Sequence, residues 1–224
     1  MKIANACLII SGLLLASVAA AETTISPTRK FAWGENIGWT NWRDANVNAA
    51  TLDERQGARI YRTIMGGFVW GENVGWINLG NPANAVSGSY ANTTGLNHGV
   101  NIDTNTGVLS GFAWGENIGW INFNTVPTQG AQGARYDRIT GRLSGYVWGE
   151  NIGWINLDDA NHYICGFSAD LNGDGVVTTP DLTRFLGSFG AALGQGARGD
   201  LNADGAINTA DLTIFLGQFS RGCL

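Results

Sequence analysis

Between residues 22 and 160 apolar and polar positions alternate in short runs with almost no helical periodicity, and one run keeps returning. "FAWGENIGWTN" (31–41), "FVWGENVGWIN" (68–78), "FAWGENIGWIN" (112–122) and "YVWGENIGWIN" (146–156) hold eight of the nine tryptophans. The first Trp of each copy is Trp33, Trp70, Trp114 and Trp148, at intervals of 37, 44 and 34 residues, a period typical of repeat architectures. The last two copies share a lead-in ("GVNIDTNTGVLSG" and "GARYDRITGRLSG"), the second has a looser version, and the first has only "TTISPTRK".

Each full unit predicts a three-stranded meander. Val100 to Asp103 alternates as a short strand, and "TNTG" is turn chemistry with Gly107 available for positive φ. "VLSGFAW" is the second strand, Glu116-Asn117-Ile118 the tip, and "IGWINF" the third. That register sets Trp114 opposite Trp120, a cross-strand aromatic pair that contributes roughly 0.2–1 kcal/mol over alanines. One continuous strand would also align Phe112, Trp114, Glu116, Ile118 and Trp120 on one face. Gly115 and Gly119 are poor strand-interior residues, so the hairpin is preferred. A meander cannot bury its own apolar face, so the copies must stack, and the pattern leaves open whether they close into a ring. The missing lead-in of the first copy predicts a free sheet edge that another chain can complete.

The repeated rings have two readings. As architecture, Trp33, Trp39, Trp70, Trp76, Trp114, Trp120, Trp148 and Trp154 form the shared core, and this reading is favoured. As a binding surface, the same eight are candidate carbohydrate-binding residues, flat faces beside Asn and Glu on which sugar rings stack. Glu35, Glu72, Glu116 and Glu150 recur at one repeat position, whereas glycoside hydrolysis needs two carboxylates in different environments. His98 and His162 fall in no triad or metal spacing. No catalytic residue is assigned.

Composition narrows the setting. Met1-Lys2, the apolar run "ANACLIISGLLLASV" and Ala19-Ala20-Ala21 read as a secretory signal over 1–21, too short to span a membrane comfortably. Cys7 lacks the small-residue context of a lipid anchor. The predicted location is therefore extracellular, with no membrane span. A net charge of −5 without a basic block excludes a nucleic-acid surface. Beyond the signal only Cys165 and Cys223 remain, an even pair that reads as a disulfide in an exported protein.

From Cys165 the texture changes to Asp-rich loops followed by apolar runs. "DLNGDGVVTTPD" (170–181) and "DLNADGAINTAD" (200–211) each match a twelve-residue calcium loop. Asp170, Asn172 and Asp174, and again Asp200, Asn202 and Asp204, supply oxygens at positions one, three and five. Gly175 and Gly205 take the sharp turn at position six. Val176 and Ala206 offer carbonyls at seven, Thr178 and Asn208 stand at nine, and Asp181 and Asp211 at twelve. All six acidic residues from 165 to 224 fall at positions one, five or twelve, where a merely solvated loop would scatter them. Two Ca2+ sites are expected.

This stretch resembles the type I dockerin family, on the duplicated "D-x-N-x-D-G" loop, Asp at position twelve and the helices "DLTRFLGSFG" and "DLTIFLGQFS". The resemblance covers about a quarter of the chain. It implies a small all-α module over 161–224, ordered by calcium and packed with two-fold pseudosymmetry, that plugs into a cohesin domain on a scaffold or cell-surface protein. The family's Lys-Arg pair partway down each helix is replaced by Leu186-Gly187 and Leu216-Gly217. Two-fold packing would also bring Cys165 and Cys223 together. The chain thus reads as a mainly β repeat module (22–160) carrying a docking module, its role non-catalytic, with a polysaccharide as candidate ligand. The competing readings are a dockerin-bearing glycoside hydrolase and a self-associating extracellular structural protein.

Overall fold

The computed structural model describes residues 23–45, 57–190 and 198–223; the expected signal segment lies outside them. Each repeated phrase is one antiparallel hairpin. The first pairs β1 (Ile25–Gly34) with β2 (Gly38–Asn41). The second has a lead-in β3 (Ala58–Ile60), then β4 (Met65–Gly71) and β5 (Gly75–Asn78). The third has lead-in β6 (Val100–Ile102), β7 (Leu109–Gly115) and β8 (Gly119–Asn122). A short helix, α1 (Val126–Gln129), precedes the fourth, with β9 (Arg135–Tyr136), β10 (Leu143–Ser144), β11 (Tyr146–Gly149) and β12 (Gly153–Asn156). The eight hairpin strands run in the order β12-β11-β8-β7-β5-β4-β2-β1, and β1 pairs back onto β12. The repeats therefore form a closed barrel.

The phrase W-G-E-N-I-G-W is legible position by position. The tip is a turn in which the Ile118 amide bonds the Gly115 carbonyl at 3.2 Å, followed by Gly119 at φ 78°. That is the three-residue hairpin loop with a left-handed glycine. Gly115 makes room: a Cβ there would sit 2.4 Å from Ile118 Cγ1. Ile118 and its equivalents Ile37, Val74 and Ile152 fold inward and plug one barrel mouth. Each tip Asn donates to the previous tip: Asn73 to Ile37 O, Asn117 to Val74 O, Asn151 to Ile118 O and Asn36 to Ile152 O, all at 3.1 Å. The four bonds close a belt around the rim.

The core is not made of the repeated tryptophans, contrary to the favoured expectation. Inside lie Ala32 and Thr40, Val69 and Ile77, Ala113 and Ile121, Val147 and Ile155, facing each other across their hairpins. Trp42, Leu79, Phe123 and Leu157 close the second mouth. The space left between them is about 10 Å³, at the lower limit for one water, so the interior is packed and holds no ligand. Eight strands enclose a bore that side chains of this size just fill, leaving no room for indoles. Period two then puts every hairpin Trp outside.

The first repeat does have a lead-in. It comes from the far end of the β region, where β13 (Ile164–Gly166) pairs with β1 through Ile25↔Gly166 and Lys30↔Ile164. The expected free edge at the first copy is thus already filled, which removes the basis for edge-driven self-assembly. The β sheet also runs on to Gly166, past the boundary expected at 160.

After β13 come two Asp-rich loops, each followed by a helix: α2 (Thr179–Ser188) and α3 (Thr209–Gln218). Phe185 and Phe215 stack between the helices at 5.4 Å, over a core with Leu171, Val177, Leu201 and Ile207. The halves exchange equivalent bonds. Val177 pairs with Ser220 and Arg221 beyond α3, and Ile207 O accepts from Gly190 beyond α2. Cys165 and Cys223 are joined as expected, tying β13 to the end of the second half.

Candidate functional site

Two surfaces carry chemistry. In the first Asp-rich loop Asp170 is buried and its carboxylate gathers the amides of Gly173 (2.7 Å) and Gly175 (2.8 Å). Gly175, at φ 93°, turns the chain so that this amide points inward. Asp181, fully buried at the first turn of α2, accepts from Leu171 and Asn172 with one oxygen and from Thr178 with the other, each at 2.9 Å. It thus caps the helix and closes the loop at once. Asp174 is exposed, bonded to Asn172 Nδ2 at 2.9 Å, and leaves the loop open to solvent. Carboxylate oxygens of Asp170, Asp174 and Asp181 all lie within 4.8 Å of one another.

Three acids so close repel, and no ion pair reaches them among the described residues. Burial pushes the Asp170 carboxyl up to about 7; the Gly175 and Gly173 amides oppose this, and the Asp181 and Asp174 charges add to it. Only protons or a cation can offset such a cluster.

The second loop repeats the frame. Asp200 accepts from Gly205 (2.9 Å) and Asp204 (3.0 Å), and Asp211 from Leu201, Asn202 and Asn208 at 2.8–3.2 Å. Burial raises the Asp200 carboxyl as well. Its three acids, however, are not drawn into the same close cluster; among the described residues only the first loop has one. Val176 and Ala206 hold their position-seven places through amides bonded to Asp174 (3.0 Å) and Asp204 (2.9 Å). Thr178 and Asn208 are the N-cap residues of α2 and α3.

No sequence signal pointed to both loops being braced on the barrel. Arg43 donates to the Gly173 carbonyl at 2.6 Å and also to Ile25 O. The Arg62 amide bonds Leu201 O at 2.7 Å, and Ala203 is buried with Tyr61, Ile64, Ala85 and Tyr90 of the β region. Among the residues the module leaves exposed are large apolar ones, Leu186 and Leu216 (57% and 60%), with Phe189 and Phe219 behind them, at equivalent places on the two helices.

The second surface is the aromatic belt. Trp33–Trp39, Trp70–Trp76, Trp114–Trp120 and Trp148–Trp154 meet edge to face at 4.7–5.1 Å. Phe31, Phe68, Phe112 and Tyr146 extend each pair at 5.9–6.3 Å. The hairpin preference and the Trp-opposite-Trp register both hold. The four glutamates are exposed at equivalent tips. What breaks the equivalence is histidine: His98 packs on Trp120 at 5.2 Å and His162 on Trp39 at 4.6 Å. Their loop positions follow no period, so nothing in the repeat pattern pointed to either.

No family model matches the chain, and no curated protein sequence does. Among solved structures it is similar to a type II cohesin–dockerin domain from Bacteroides cellolosolvens, at 40% identity over 25% of this chain and 87% of that one, with a TM-score of 0.23.

Proposed function

We propose that this chain is a secreted, calcium-binding, non-catalytic docking protein. The single observation that carries the reading is the uncompensated carboxylate cluster of Asp170, Asp174 and Asp181, set in a twelve-residue loop with its glycine at the turn. Calcium takes six to eight hard oxygen ligands, and its charge offsets three acids that have no other cation. Asp170, Asn172, Asp174, the Val176 carbonyl, Thr178 and Asp181 would hold the first ion. Asp200, Asn202, Asp204, the Ala206 carbonyl, Asn208 and Asp211 would hold a second, once Asp204 draws in. Binding fixes the loop frames from which α2 and α3 start. Those helices then present Leu186, Leu216, Phe189 and Phe219 as a paired apolar patch of the kind that marks a protein contact.

The partner is a cohesin-like domain or another protein at the cell surface, and the barrel is the cargo delivered to it. The Arg43 and Arg62 contacts make the module one end of a rigid unit rather than a tethered flag. The test is capture of purified cohesin domains by the immobilised full chain. Capture in calcium that is lost in chelator, and lost again in the Leu186→Asp, Leu216→Asp double variant, supports docking. Capture that is unchanged by chelator and by both substitutions refutes it.

A further inference from the structure

The four hairpins carry the same rings, but one differs in what stands next to it. The interval from Trp70 to Trp114 is 44 residues against 34 for the next, and the excess forms a loop between β5 and β6. Its end is tightly wound. Asn97 Oδ1 accepts from the amides of Thr93 and Thr94 at 2.9 and 2.8 Å, Asn97 Nδ2 donates to Thr93 Oγ1, and Asn92 sits at φ 54° with its carbonyl oxygen on the Gly99 and Phe112 amides. The loop stands as a wall beside the third hairpin and turns its outer face into a cleft of about 470 Å³.

The floor of the cleft is Trp120, held edge to face by Trp114, Phe112 and His98 at 4.7, 6.1 and 5.2 Å. Despite those neighbours it stays 41% exposed, more than its equivalents Trp39, Trp76 and Trp154, which are partly buried. The opposite rim is Glu150, placed beside Trp120 because β11 continues the sheet from β8 with Gly149 opposite Ile121. His98 Nδ1 bonds the Gly95 carbonyl at 2.8 Å, so Nδ1 carries the proton and Nε2 is an acceptor. Nε2 is buried and has no hydrogen-bond partner among the described residues.

We propose that this cleft is a binding site for a neutral saccharide, stacked on Trp120. A pyranose ring offers an apolar C–H face to the indole and hydroxyls around its edge. The Glu150 carboxylate accepts from such hydroxyls, and the exposed Thr93 and Thr94 hydroxyls complete the rim. No Lys or Arg lines the cleft, which disfavours anionic ligands. A quaternary ammonium would suit the rings and the carboxylate but makes no hydrogen bond to the Thr93 and Thr94 rim. A single carboxylate in the cleft also makes it a binding site rather than a hydrolytic one, which takes two. The fixed loop and clasped indole mean that little side-chain entropy is lost on binding.

The test is tryptophan fluorescence of the full chain titrated with a panel of neutral oligosaccharides and, separately, with tetramethylammonium. Alongside go Trp120→Ala, Thr94→Tyr, which fills the cleft from an exposed loop position, and Trp76→Ala on the hairpin that lacks the wall. The expected result is a saturable response to an oligosaccharide that Trp120→Ala and Thr94→Tyr each weaken roughly tenfold or more, while Trp76→Ala changes it by less than about twofold. Thr94→Tyr leaves the barrel untouched and keeps the test valid should Trp120→Ala misfold. No saturable response to any oligosaccharide overturns the proposal. So does equal weakening by Trp76→Ala, or a response to tetramethylammonium alone.

Discussion

Asp170 should make the proposed calcium binding sensitive to pH, in a window set by its burial. Its carboxyl is raised from 3.8 to about 7, by burial first and by the facing Asp181 and Asp174 charges after that. In the metal-free fold the proton therefore stays on up to about pH 7, while the unfolded chain has lost it near pH 4. Between those values the folded state holds this proton and the unfolded chain does not, so the contribution of Asp170 to stability is fully present below about pH 4 and is lost as pH rises towards 7. The loss is on the order of 4 kcal/mol across the window. Calcium needs the carboxylate, so proton and ion compete for one group. At pH 5 the affinity of the first loop should be roughly 100-fold below its plateau above pH 8, and near pH 7 about half a proton should be released per ion. Burial raises Asp200 too, so the second loop shifts in the same direction. Calorimetric calcium titrations in buffers of different ionisation enthalpy read both the affinity and the proton count. An affinity flat across that range, with no proton released, would show that Asp170 is already ionised in the metal-free fold and would refute the reasoning.

Opening the Cys165–Cys223 bond, which closes a 58-residue separation, should cost about 4 kcal/mol in urea unfolding of a Cys165→Ser, Cys223→Ser variant. A cost below about 1 kcal/mol would mean that the reduced chain stays compact when unfolded. Gly115→Ala and Gly187→Ala should have opposite signs. The first drives a Cβ to 2.4 Å from Ile118 Cγ1 and should cost roughly 1–3 kcal/mol by overpacking the barrel mouth. The second lies within α2 with nothing within 4 Å of the added carbon and should gain about 0.5–1 kcal/mol, with thermal melts deciding both. Asn117→Ala removes one link of the rim belt and should cost about 1 kcal/mol, whereas Asn105→Ala, whose amide serves only the Asp103 turn, should be near neutral.

The hairpins were legible because three signals agreed: the W-G-E-N-I-G-W spacing, a glycine for the left-handed tip, and a Trp pair immediately outside the turn's flanking glycines. Which face pointed inward was not legible from ring size. Period two defines two apolar faces here, one of Trp and Phe, the other of Ala, Val and Ile, and hydrophobicity alone favours burying the larger. The bore of an eight-stranded barrel reverses that choice. The Ala32/Thr40 and Val69/Ile77 positions were the better guide, being small or β-branched at every copy, and apolar at all but Thr40, although they belong to no conspicuous motif. The closing strand was hidden for another reason. Ile164–Gly166 meets β1 across more than a hundred residues, and in the sequence it looks like linker. In the Asp-rich loops spacing alone singled out the candidate ligand positions, but not the seating of the loops on Arg43 and Arg62, which depends on where the barrel ends.

The most direct measurement is the calcium stoichiometry of the full chain at neutral pH, by calorimetry after removal of bound metal, beside the variants Asp170→Asn and Asp200→Asn. Two ions per chain, falling to one in each variant, is the predicted result. Heat no greater than that of magnesium, or a stoichiometry that neither substitution changes, would contradict the assignment of the acidic loops and the docking function built on it.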